Sequence, residues 1–73
     1  MADSIVEVKY SLNNVVIKTY PGLAAAVAFA VDSLNMPSIL GCVAGDDTVI
    51  IVTVTEEGSK ELSEKITELM KSF

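Results

Sequence analysis

Histidine, arginine and tryptophan are missing from this 73-residue chain, and cysteine occurs only once. Without histidine there is no Cys/His zinc site, and Cys42 alone cannot close an intrachain disulfide. The basic residues are five lysines, Lys9, Lys18, Lys60, Lys65 and Lys71, scattered along the sequence against ten acidic residues, for a formal net charge of −5. Phosphate contacts need Lys and Arg clustered on one face, so the charge balance argues against nucleic-acid binding by this chain itself. Long apolar runs are missing too: none approaches the roughly 18 residues of a membrane span. The start, Met1-Ala2-Asp3-Ser4, is neither basic nor followed by a signal-like apolar stretch. Together with one unpaired cysteine this points to a reducing cytoplasm.

Hydrophobic residues make up 51% of the chain. A domain of this size buries only about 60% of its unfolded surface, and neither disulfide nor zinc can add stability here, so the surplus apolar surface is expected to face a further copy of the chain.

Strand and helix signals alternate in an orderly way. Residues 5–10 alternate in part between apolar and charged, with Glu7 and Lys9 on one side, as in a half-buried strand. Leu12-Asn13-Asn14 is a turn signal, because Asn tolerates positive φ, and residues 15–20 form a second strand that closes a hairpin. Tyr20-Pro21-Gly22 ends it and opens a helix over 23–34. That helix has no polar residue before Asp32, so it is expected to be buried on more than one side, the second being a subunit contact. A membrane-surface helix would carry Lys or Arg on its polar face, and this one has none.

Pro37 ends the helix region, and Ile39-Leu40 leads into a third strand. Residues 48–55 form a β-branched run that reads as a central strand covered on both faces. Glu56-Glu57-Gly58-Ser59 reads as a loop with Ser59 as a cap, followed by an amphipathic helix over 60–73 with Leu62, Ile66, Leu69, Met70 and Phe73 on one stripe. The expected fold is α+β, ββαββα: a two-layer sandwich of a mostly antiparallel four-stranded sheet with both helices on one face.

Between the third and fourth strands lies Ala44-Gly45-Asp46-Asp47-Thr48, which fixes two carboxylates at a hairpin tip. Gly and Asp suit the turn on conformational grounds alone, and the same carboxylates could also hold a cation. Both readings stand at this level.

Taken in order, Val16-Ile17-Lys18-Thr19-Tyr20-Pro21-Gly22, Asp32-Ser33-Leu34, Ile39-Leu40-Gly41 and Ala44-Gly45-Asp46-Asp47-Thr48-Val49 resemble the C-terminal domain of bacterial arginine repressors, over about residues 14–73. The resemblance implies a domain that trimerises and stacks trimers into a hexamer, with L-arginine as co-repressor ligand between them. It implies no enzymatic activity and no other cofactor or metal. Asp46 and Asp47 match the family's arginine-binding aspartates, and Asp32 matches a third acidic residue near the ligand's amino end. Cys42 and Ala44 match pocket-lining strand positions. Many members carry Gln where this chain has Ala25, which leaves a pure oligomerisation module without arginine binding as the alternative. The family's winged helix-turn-helix would precede this domain, and nothing before residue 14 has its length or basic charge. The expectation is therefore one domain over residues 1–73, with 1–4 as linker remnant, and DNA reached only through a missing half. Pterin dehydratases share the ββαββα order but depend on histidines.

Overall fold

The computed structural model describes residues 2–71. A short 3-10 turn, Ala2–Ser4, leads into strand β1 (Ile5–Ser11), followed by β2 (Asn14–Thr19), helix α1 (Ala24–Asp32), β3 (Ile39–Ala44), β4 (Thr48–Thr53) and helix α2 (Glu56–Lys71). The sheet order is β1-β2-β4-β3 and every pairing is antiparallel. This is the expected ββαββα sandwich.

Strict alternation sets the two faces. In β2, Val15, Ile17 and Thr19 are buried; in the neighbouring β4, Val49, Ile51 and Thr53 are buried. Both helices cover this face, Val27 and Val31 of α1 and Leu62 and Ile66 of α2 completing the core with the strand residues. Fully burying one such side chain contributes about 1.5–3 kcal/mol. Among the described residues, no helix covers the opposite face of the sheet. Across three strands it presents Val43, Ile50 and Val16 in one register row, with Val43 67% and Ile50 43% exposed. The reading of β4 as central is correct, but within the protomer it is covered on one face only.

Helix α1 is buried on one side, through Ala24, Val27 and Val31. Its outer side carries exposed Ala25 and Ala26, and Phe29 at 75% exposure. Among the described residues, none covers most of that aromatic ring.

The first hairpin turns differently from expectation. Leu12, not an asparagine, takes the positive φ of 52°, because Asn13 is used elsewhere. Its carbonyl accepts from the Thr53 amide and hydroxyl, and its side-chain amide donates to the Thr53 carbonyl. Helix α2 begins a full turn before residue 60. Thr55 is its cap, the Oγ1 accepting from the Gly58 amide at 3.0 Å. Ser59 is no cap: it is buried inside the helix, its hydroxyl bonded to the carbonyls of Leu12 and Glu56. Gly58 reads as a breaker but serves close packing, since a Cβ there would lie 3.3 Å from the Cβ of Ser38. The stripe of Leu62 and Ile66 is inward as expected, while Phe73 lies outside the described residues.

Candidate functional site

The tip between β3 and β4 is built by its backbone. The Gly45 amide donates to the Thr48 carbonyl at 2.8 Å, closing the hairpin. Beyond it, the Asp46 carbonyl accepts from two amides, Gly22 at 3.0 Å and Ala24 at 3.3 Å, and the Asp47 carbonyl accepts from Thr19 at 2.8 Å. The Pro-Gly turn and the Gly-Asp-Asp turn are thus one unit, although more than twenty residues separate them. Gly22 has φ +83°, a conformation costly for any residue with a Cβ. At the start of α1, Leu23 offers no capping side chain, and the Asp46 carbonyl takes that place for the Ala24 amide.

With its carbonyl fixed, Asp46 is exposed at the tip. Asp47 is in a different situation. Thr48 donates its hydroxyl to Asp47 Oδ1 at 2.9 Å, and Lys18 Nζ lies 3.4 Å from Oδ2 and 2.8 Å from the Thr48 oxygen. The Thr48 hydrogen bond first, and the Lys18 charge second, hold the Asp47 carboxyl below its ordinary range. The two adjacent aspartates are therefore not equivalent: one is presented to solvent, the other is braced by two side chains, Thr48 and Lys18.

The sign of the pH effect follows. A carboxyl whose pKa is lower folded than unfolded contributes stability above its unfolded pKa of about 3.9, and that contribution is lost as pH falls through the folded value. Asp47→Asn is expected to flatten the stability curve below about pH 4. Thermal melts of both proteins from neutral pH into acid would check this; parallel curves would show that the bracing contributes nothing.

The remaining candidates form a second group. Cys42, half-buried on β3 opposite Ile51, faces the helix layer. Its Sγ lies 3.4 Å from Asp32 Oδ1 and 3.8 Å from the Ala28 carbonyl. Burial first, then the Asp32 hydrogen bond and charge, push the Cys42 thiol up from its ordinary range. Asp32 is the last residue of α1 and lines a cleft of about 310 Å³ with Asn35 and Gly41. Ala44 stands at the end of β3, beside the tip. Asp46 bonds the start of α1 and Asp32 ends it, so the two lie at opposite ends of a nine-residue helix. At 1.5 Å per residue that is roughly 12 Å along the axis.

The sequence reading names five candidates but gives no role to Lys18 and Thr48, which the register pairs across β2 and β4. A larger cleft of about 880 Å³, lined by Tyr10, Thr55 and the first two turns of α2, lies at the opposite end of the sheet and holds none of the candidates. Among the described residues no three His, Cys, Asp or Glu side chains gather as a metal site, and no helix is long and apolar enough to cross a membrane.

The described residues thus form a small α+β sandwich with a braced acidic tip and exposed apolar side chains on both of its outer sides. A family model described as the arginine repressor, C-terminal domain, matches residues 1–68, and the chain belongs to that family. The match takes in β1, ahead of the region that carries the resemblance in sequence. An arginine repressor of Acetivibrio thermocellus is 52% identical over 69 residues, 94% of this chain and 45% of that protein. Those of Thermoanaerobacter sp. strain X514 (45% over 71 residues, 97% and 47%) and Syntrophomonas wolfei (44% over 68 residues, 93% and 44%) are similar in the same way. The chain spans less than half the length of these curated relatives.

Proposed function

We propose that this domain is the L-arginine-sensing, self-assembling half of a cytoplasmic repressor of arginine metabolism, trimeric by itself and driven toward a hexamer by arginine bound between trimers. The observation that carries the reading is the double amide clamp on the Asp46 carbonyl, which presents the neighbouring carboxylate at a rigid, exposed tip. A planar guanidinium offers two parallel N–H donors that a carboxylate accepts together, and the chain supplies no arginine of its own to compete.

We place one ligand between protomers, Asp46 of one taking its guanidinium and Asp32 of another its α-ammonium. Cys42 and Ala44 would line the same pocket from β3, and Asp47, braced by Lys18 and Thr48, would hold the tip in shape. Acidic tips brought together repel one another, a bound cation relieves this, and ligand binding then promotes assembly.

Two kinds of subunit contact also need two surfaces. The open sheet face at Val43 and Ile50, and the outer side of α1 at Phe29, lie on opposite sides of the sandwich. We assign the sheet face to the trimer and the α1 side, adjoining the tip, to the contact between trimers. DNA would be engaged by a further domain, which fits relatives more than twice as long and the net charge of −5 here. Sedimentation with and without L-arginine tests the whole reading; oligomers that form but ignore arginine would identify a pure assembly module.

A further inference from the structure

We propose that α1 pairs antiparallel with α1 of a second copy about a two-fold axis, Phe29 of each filling the hollow over Ala25 and Ala26 of the other. The pairing brings Asp32 of one protomer beside Asp46 of its partner. This rests on the arginine-binding reading above and specifies the contact that completes its site.

Phe29 is the starting observation. It is 75% exposed, on the side of α1 away from the buried Val27 and Val31. At about 100° per residue, Ala25 and Ala26 stand one turn before it on that same side, and Asp32 and Ser33 one turn after. All four are exposed. A bulky apolar side chain therefore projects next to a hollow where two methyl groups cover the helix backbone. Such a face carries both halves of a knob-into-hole contact, so the surface that fits it is a second copy of itself. The helix has no charged residue before Asp32, so two copies bring no like charges together along the middle of the contact.

The orientation follows from the same residues. Parallel helices would set Phe29 against Phe29 and leave the alanine hollows unfilled. In an antiparallel pair with Phe29 over Ala25 and Ala26, positions whose numbers sum to about 54 or 55 face one another. Asp32 then lies across from the partner's Gly22 and Leu23, at the turn where the Gly22 and Ala24 amides hold the Asp46 carbonyl. Each end of the pair gathers one Asp32 and one Asp46 from different chains. Two carboxylates so placed repel one another, and a ligand with a cation at both ends, as L-arginine has in its guanidinium and ammonium, matches them.

Sedimentation velocity across a titration of L-arginine, on the 73-residue chain and three variants, tests the pairing. Phe29→Ala removes the knob and Ala26→Leu fills the hollow; both changes put good helix formers at exposed helical positions, so the fold is kept. Each should raise the arginine concentration for half-conversion from trimer to hexamer at least about tenfold, with trimers intact. In the double variant Ala26→Phe with Phe29→Ala, knob and hollow exchange places, and the same antiparallel register still brings them together. Its half-conversion should return to within about threefold of the parent. Single variants that convert as the parent does would overturn the pairing. So would a double variant no better than Phe29→Ala, since a face that meets something other than itself gains nothing from the exchange. Either result leaves arginine binding in place. A parent chain that shows no response to arginine would overturn the underlying reading, and this one with it.

Discussion

Asp46→Asn is expected to lower the affinity for L-arginine by roughly 30-fold or more, because removing one side of a buried, hydrogen-bonded charge pair typically costs about 2–5 kcal/mol. The variant is a clean one for a structural reason. What Asp46 gives to the fold is its carbonyl, which takes the Gly22 and Ala24 amides, and asparagine keeps that carbonyl and the side-chain volume. Stability without ligand should change little, or improve if clustered carboxylates repel. Asp47→Asn is a less direct probe: it also releases Lys18 and alters the bond with Thr48, so lost affinity there mixes ligand contact with tip geometry. Asp32→Asn should weaken binding less than Asp46→Asn, since an ammonium lacks the two-pronged match of a guanidinium. Calorimetric titration with L-arginine, with lysine and citrulline as controls for shape and charge, gives the comparison. If Asp46→Asn binds arginine as well as the parent, the acidic tip is only a turn.

Ile50→Glu should abolish assembly and leave a folded monomer. Ile50 lies in the middle of the open sheet face, between Val43 and Val16, and takes no part in the core. If that face is packed against another copy, the substitution buries an unpaired carboxylate at every contact, each costing several kcal/mol. In a monomer the same carboxylate would stand in water, so helix and strand content by circular dichroism should be retained. Phe29→Glu, on the outer side of α1, should separate the two interfaces: trimers persist, and the response to arginine is lost. Sedimentation of both variants at micromolar concentration decides. An Ile50→Glu protein that still forms trimers would move the trimer contact elsewhere.

Periodicity carried most of the fold. Alternation in β2 and β4 and the 3.6-residue stripe of Leu62 and Ile66 were sufficient to order the elements, because each reports directly which side meets the core. Local signals failed where tertiary packing reassigned a residue. Gly58 lies in the first turn of α2, not in a loop, where a Cβ would crowd Ser38, and Ser59, in form a cap, is drawn inside to satisfy the Leu12 carbonyl. The Asn13 side chain is held by Thr53, which leaves Leu12 with the strained backbone angle.

The candidate site divides in the same way. The Gly-Asp-Asp tip is a local pattern and was legible. Its bracing by Lys18, 29 residues away from Asp47, depends on the β2–β4 register and was not. Nor could sequence show that the Asp46 carbonyl bonds the start of α1, at the other end of that helix from Asp32.

Sedimentation velocity of the 73-residue chain across a titration of L-arginine, with citrulline in parallel, tests the central claim most directly. The account predicts trimers without ligand, a shift to hexamers with L-arginine, and no shift with citrulline, which keeps the shape of the side chain and lacks its charge. A 7.7 kDa monomer, unchanged by arginine at every concentration, would contradict it.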